Sequence, residues 1–481
     1  MLSDIKQLSK ETAVYGISTI LSRFLNFLLV PFYTNIFTQA EYGIVTNVFA
    51  YIALLNIIYL YGMDSAYLKF ATSKDGADEK TTFSTSYNSV FLTSLFFSLL
   101  FLIFNQSIGS VFALESGQSS IVYYTMGVLF FDAITLVPFA RLRLQNKAFK
   151  FALIKSINIV INLFLNFVLI LKFKMGIEAV FLSAFIASFL TWFILIPDIF
   201  RNLSFHFDRE LLVKLFKFGI PFAPAGLASM ITRVIDRPVM LALTDASTVG
   251  VYQANYKLGI FMMLFVTMFQ YAWQPFYLKN AHRDDAKILF GKILTYFTLA
   301  ASFIFIILSL FIEDLIKVSI FGKYIIGENF WGGLYIVPII LMAYLFNGLY
   351  INFLAGIQIE KKTKYMPAIT GIGAVINVAA NFILIPIWGM LGAAYATLLS
   401  FFTMAIVLYF ISQRFYRIEY EFNKIMLIAV ALLIAYGGNL IIKEFLDINL
   451  LVIKFFAVGV FVLLIYLFGL IDFKDLRRLF S

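Results

Sequence analysis

The chain is partitioned into about fourteen apolar runs, each near 20 residues and each bounded by charge, and this constrains its fold more than any other feature. The runs fall at about 13–37, 44–63, 83–104, 121–140, 151–171, 177–197, 216–242, 250–274, 290–312, 333–354, 366–386, 389–411, 424–442 and 450–471. A run of that length matches the hydrocarbon core when coiled as a helix, whereas barrel strands read as shorter alternating segments. Hydrophobic residues make up 62% of the chain, mean hydropathy is +0.91, and a water-soluble fold has too little interior to hide so much apolar surface. The expected class is therefore an all-α polytopic membrane protein. The first run is too long for a cleavable signal peptide and has no small-residue cleavage site.

Several function classes drop out. The chain has no cysteine, so thiol chemistry and Cys-based metal sites are excluded. Its two histidines, His206 and His282, fall in polar connections, so no metal or cofactor is expected. No GxxxxGK[ST] string is present to cradle a nucleotide. The net charge of +10 is explained by topology. Most of the Lys and Arg lie in connections on the N-terminal side, as with Arg141, Arg143, Lys147 and Lys150, or Lys361, Lys362 and Lys364. Only a few, such as Lys172, Lys174, Lys317, Lys323 and Lys443, lie opposite. That asymmetry places both termini in the cytoplasm and favours contact with anionic lipid over nucleic acid.

The first twelve runs contain a repeat offset by about 207–215 residues. Ser22-Arg23 answers Thr232-Arg233, Gly43 answers Gly250, and Tyr67-Leu-Lys69 answers Tyr277-Leu-Lys279. Phe131-Asp132 answers Phe346-Asn347, Gln145 answers Gln358, and Asn162 and Asn166 answer Asn377 and Asn381. Six spans per repeat is an even number, so the two lobes are parallel and related by a pseudo-two-fold along the membrane normal. The expected division is a lobe over 1–200, a second over 201–412, and an addition over 413–481.

Ionisable groups inside spans are costly and usually face a partner or a wet cavity. Arg23, Arg233, Arg237 and Lys257 are candidates for a cationic cavity, in which arginines bind phosphate in bidentate fashion. Arg233 and Arg237 share a helix face, and Asp236 is spaced to neutralise Arg233. Pro221, Pro224 and Pro238 make that span bendable. Asp132, the deepest acid, is a structural partner or a carrier of a coupling proton; Asp64 is placed at a span end. Asn158, Asn162, Asn166 and Asn377 form polar stripes that serve either as interhelical glue or as a wet wall, and Gln253 presents the same choice. Tyr271, Trp273, Trp331 and Trp388 suit an aromatic belt.

Ser22-Arg23…Pro31-Phe-Tyr…Glu41-Tyr42-Gly43 with Gly62-Met-Asp-Ser-Ala66 resembles the start of Wzx-type polysaccharide flippases. Asp236-Arg237…Val249-Gly250-Val-Tyr252…Tyr256-Lys257-Leu is similar to their second half. Asn377…Asn381…Ile385-Pro386-Ile-Trp-Gly389…Gly392-Ala393-Ala394 resembles their eleventh-to-twelfth hairpin. The resemblance spans the chain and implies membership of the superfamily that also holds the MurJ and MATE transporters. It implies flipping of an undecaprenyl-pyrophosphate-linked oligosaccharide, as in O-antigen assembly, across a bacterial inner membrane. A monomer is expected because the cavity is complete within one chain, and an enzyme is not expected because no cluster of acids or His at a membrane face accompanies a sizeable loop. An H+ or Na+ gradient, the membrane potential and substrate concentration are the alternatives for the driving force. The competing expectations are an ion-coupled MATE-like exporter of small molecules and a flippase of lipid II or a teichoic-acid precursor.

Overall fold

The computed structural model describes residues 27–72, 78–115, 117–204, 207–320, 322–445 and 450–470. Thirteen helical segments among them are long and apolar enough to cross a membrane. A further helical stretch, α1 over 27–34, falls on the first expected span. The chain is a multi-pass integral membrane protein, and its helical architecture follows from the solvent: a bilayer core offers no partner for backbone N–H and C=O groups, so each span satisfies its own.

By contact the chain divides into two compact units. The first holds residues 1–254, 328–330 and 374–393. It contains α1, then α2 (Gln39–Leu60), α3 (Met63–Thr72), α4 (Glu79–Ile103), α5 (Asn105–Val111), α6 (Ser120–Ile134), α7 (Leu136–Leu144) and α8 (Ala148–Phe167). It continues through α9 (Glu178–Asn202), α10 (Arg209–Gly219), α11 (Phe222–Val234), α12 (Asp236–Leu243) and most of α13 (Ala246–Tyr256). Its core is built where α6 packs on α9 and α4, α8 on α9, and α2 on α11, α12 and α6.

The second unit holds residues 255–327, 331–373 and 394–481. It contains α14 (Ile260–Asn280), α15 (Ala286–Ile316), α16 (Val337–Ile359), the start of α17 (Met366–Trp388), most of α18 (Met390–Phe415), α19 (Phe422–Phe445) and α20 (Leu450–Leu467). Here α14 and α15 pack on α16, and α15 also packs on α19, which pairs with α20. Lys454 of α20 is 5% exposed and its ammonium meets the Asp314 carboxylate of α15 at 2.5 Å. The connection after α15 carries a two-stranded antiparallel hairpin, Ser319–Ile320 with Lys323–Tyr324, which the apolar pattern does not anticipate.

Several expected spans are interrupted, among them the fourth, which breaks at Thr135 between α6 and α7. The second breaks at Tyr61 and Gly62, both left-handed at φ 34° and 74°, before α3 resumes. At Gly62 an added Cβ would stand 2.4 Å from the Gly219 carbonyl oxygen, so the position needs both the conformation and the absence of a side chain. The seventh is divided into α10, α11 and α12, and the last break falls where Pro238 has no N–H for the Val234 carbonyl. The eighth changes from α13 to a 3₁₀ turn at Lys257–Gly259 before α14.

The repeat is visible in the geometry. Gly43 of α2 and Gly250 of α13 meet backbone to backbone: a Cβ on Gly43 would lie 1.8 Å from the Ala246 oxygen, and one on Gly250 would lie 2.0 Å from the Gln39 oxygen. Gln39 and Gly43 correspond to Ala246 and Gly250 at the same offset of 207, so this helix crossing is two-fold symmetric in sequence as well as in contact. The asparagine pairs repeat equally closely. Asn166 donates from Nδ2 to the Asn162 backbone oxygen at 2.8 Å and to its Oδ1 at 3.1 Å. Asn381 makes the same two bonds to Asn377 at 2.8 Å and 3.1 Å.

Candidate functional site

Buried polar groups in the first unit gather at the ends of α1 and α8, the starts of α2 and α12, and the second half of α13. Arg237, half-buried, donates from Nε to Gln253 Oε1 at 2.7 Å, and Gln253 is fully buried. Asp236, 3% exposed, accepts the Tyr252 hydroxyl at 2.7 Å and the Arg237 backbone N–H at 3.0 Å. Tyr42 lies within electrostatic reach of Arg237, and its ring centroid is 6.3 Å from that of Tyr33. Tyr33 donates its hydroxyl to Asn166 Oδ1 at 2.7 Å. One chain of side chains thus runs from the α8 asparagines through α1 and α2 to the start of α12 and the facing turn of α13. A low-dielectric setting makes such a network strong when its members are paired.

Several buried amide atoms of the first unit are unpaired. Gln253 Nε2, both amide atoms of Asn47 on α2, Asn377 Nδ2 and Asn381 Oδ1 are buried with no hydrogen-bond partner. Unpaired amides at this depth are costly, so they mark places for water or a polar ligand.

The spacing argument that pairs Asp236 with Arg233 does not describe the structure. The break between α11 and α12 falls between them, and Asp236 turns to Tyr252. Arg233 is exposed at the end of α11. Lys257 is half-buried in the 3₁₀ turn of the second unit. Arg23 lies outside the described residues. Asp64 pairs with Arg143 at 3.3 Å beside the Arg141–Glu79 pair at 2.9 Å, both at the basic end of the first unit.

The α8 stripe also reaches a neighbouring helix. Asn158 donates to Thr191 Oγ1 of α9 at 2.9 Å. One turn earlier on the same face stands Lys155, whose ammonium lies 4.3 Å from the Phe139 ring centroid. Lys155 is exposed, yet the apolar exposed face of α8 is opposite, along Leu153, Val160, Phe164 and Phe167. Asp132 of α6, half-buried, is within electrostatic reach of Lys155 and accepts the Ser188 hydroxyl on Oδ1 at 2.7 Å. Sequence reading missed Lys155, Ser188, Tyr252 and Tyr33. Extending the four-residue rhythm of Asn166, Asn162 and Asn158 back by three would have reached Lys155.

Residues 8–280 match a family model described as polysaccharide biosynthesis protein. The chain belongs to this family. Among curated relatives it is similar to an uncharacterized membrane protein, MJ1068, of Methanocaldococcus jannaschii, at 22% identity over 97% of this chain and 96% of that one. Its fold is that of the solved lipid II flippase MurJ in an inward closed conformation, with a TM-score of 0.77, 18% identity, and coverage of 97% of this chain and 100% of that one. An inward-facing multidrug MATE transporter aligns with a TM-score of 0.60 and 15% identity, over 82% of this chain and 97% of that one. The family member described here therefore shares its fold with a solved flippase and a solved exporter.

Proposed function

We propose that this protein is a flippase that moves an undecaprenyl-pyrophosphate-linked oligosaccharide from the cytoplasmic to the outer leaflet of a bacterial inner membrane. The observation that carries the reading is the polysaccharide-biosynthesis match over residues 8–280 of a chain with a MurJ-like fold. Lobes over 1–200 and 201–412 would alternate access around a wet path, with residues 413–481 beside them and both termini cytoplasmic. The isoprenoid tail would stay in the bilayer, so only the pyrophosphate and sugars need polar surroundings. Arg23, Arg233, Arg237 and Lys257 are the proposed headgroup cations, since Arg binds phosphate oxygens in pairs. The unpaired amides of Asn47, Gln253 and Asn377 offer donors to sugar hydroxyls. A monomer suffices for this path.

Ligand-induced stabilisation of the purified protein tests the reading. A short-chain prenyl-pyrophosphate-linked disaccharide should raise the unfolding midpoint of the wild type, and Arg23→Ala and Arg233→Ala should reduce that gain. Stabilisation by small organic cations in place of the lipid-linked sugar would support an exporter instead.

A further inference from the structure

The Asp132–Lys155 constellation, which rests on the flippase reading above, has three features that a purely structural pair does not need. The first is repeat asymmetry. The offset of 215 that carries Asn162 and Asn166 onto Asn377 and Asn381 also carries Asp132 onto Asn347 and Lys155 onto Thr370. The second repeat builds the corresponding helices with neutral side chains, so the helices do not require the charges. The second feature is access. Lys155 is exposed on the polar face of α8, away from the lipid-facing stripe, and Asp132 is only half-buried although it lies twelve residues into a span that starts at Ser120, about 18 Å at 1.5 Å per residue. The third is an incomplete pairing. Lys150 and Asp198, on α8 and α9, close at 2.6 Å, whereas Asp132 and Lys155 interact without forming an ion pair among the described residues.

We infer that Lys155 is a further anion-binding group for the substrate headgroup, and that Asp132 restrains it when ionised and releases it when protonated. Ionised Asp132 attracts the ammonium and repels a pyrophosphate; the neutral acid does neither. Headgroup binding and proton uptake at Asp132 therefore favour each other, and by linkage the coupling is the same in both directions. The charged surroundings are simple. The charge acting on Asp132 comes from Lys155 of α8, with the Ser188 hydroxyl of α9 as hydrogen-bond donor. Lys155 feels Asp132 of α6 and Arg143 of α7. Among the described residues, the other packing partners of α6, namely α2, α4, α5 and α7 with its Arg141 and Arg143, supply no further charge acting on Asp132. Arg143 adds to the positive field once Asp132 is neutral.

The test is direct binding of a short-chain prenyl-pyrophosphate-linked disaccharide across a pH series, with the full-length protein in detergent. Each phosphate of that probe carries one ester and the shared anhydride link, so its single acidic group is ionised throughout and does not titrate near neutrality. Wild-type affinity should rise as pH falls through the titration of Asp132, by up to about tenfold per pH unit. Asp132→Asn should bind tightly at every pH. Lys155→Gln should bind weakly at every pH, and Lys155→Arg should restore affinity. Equal elution profiles and unfolding midpoints establish that the variants are folded. If the wild type binds without pH dependence, or if Asp132→Asn keeps the wild-type dependence, the linkage is wrong while the flippase reading stands. If the wild type does not bind the probe at any pH, both fail.

Discussion

Replacing Gly43 with alanine adds one carbon to the most crowded crossing in the first unit. The new Cβ would start 1.8 Å from the Ala246 carbonyl oxygen, and real Cβ contacts essentially never fall below 3.0 Å. The obstacle is backbone on the facing helix, so no side-chain rotation relieves it, and α2 and α13 must separate by about 1.2 Å locally. Overpacking costs about 1–3 kcal/mol when neighbours adjust, and a rigid backbone neighbour places this case at or above the upper end. Gly250→Ala, with its contact at 2.0 Å, should cost nearly the same. The matched control is Gly437→Ala in α19, where an added Cβ meets nothing within 4 Å and helix propensity favours alanine by about 0.5–1 kcal/mol. Thermal unfolding in a mild detergent should order the three proteins with Gly437→Ala at or above wild type and both crossing variants several degrees below. Crossing variants as stable as the control would refute the close backbone contact.

Other expectations follow from buried polar groups and caps. Asp314→Asn leaves Lys454, 5% exposed, without its counter-charge and should cost about 3–5 kcal/mol, whereas Lys454→Met leaves a partly solvated Asp314 and should cost far less; denaturant unfolding of both variants checks the order. Tyr252→Phe removes the hydroxyl donor to buried Asp236 and should cost about 1–3 kcal/mol, read as a lowered unfolding midpoint. Asp245 caps α13, accepting from the Thr248 N–H at 2.9 Å and its hydroxyl at 2.8 Å, and these bonds hold its carboxyl below the usual range. A depressed acid stabilises the fold above its unfolded value and loses that contribution as pH falls through its folded one. Asp245→Ala should therefore cost about 1 kcal/mol near neutrality, and the gap from wild type should close in acid.

Much of the fold is legible because a bilayer permits few solutions. Run length alone places the spans, and the repeat is legible because Asn162 and Asn166 recur at 377 and 381 with the same hydrogen bonds. The breaks are harder to read. Tyr61 adopts a left-handed turn that its side chain does not announce, and the 3₁₀ turn at Lys257–Gly259 lies inside a segment whose length reads as one span. Gly259 there packs closely on α16, where an added Cβ would stand 2.7 Å from Ile340, and such a requirement comes from tertiary contact.

The site is only partly legible for a related reason. Spacing rules hold along an uninterrupted helix, so Asn158, Asn162 and Asn166 are correctly grouped on one face. They fail across a break, which is why Asp236 finds Tyr252, sixteen residues away, and not Arg233. Lys155 stands near the basic end of its span and reads as topology; its exposure on the polar face and its proximity to Asp132 emerge only when α6, α8 and α9 pack together. Gly43 and Gly250 are matched by the repeat, but their mutual contact depends on how α2 and α13 cross.

Leaflet-resolved translocation in proteoliposomes tests the proposed activity most directly. Vesicles carrying the purified protein, and matched protein-free vesicles, are loaded with a fluorescent prenyl-pyrophosphate-linked oligosaccharide, and the fraction reached by a membrane-impermeant quencher is followed over time. A flippase exchanges the lipid between leaflets faster than the protein-free vesicles do, and slows when Arg23 and Arg233 are replaced by alanine. Exchange no faster than in protein-free vesicles, from protein that has reconstituted intact, would contradict the proposed function.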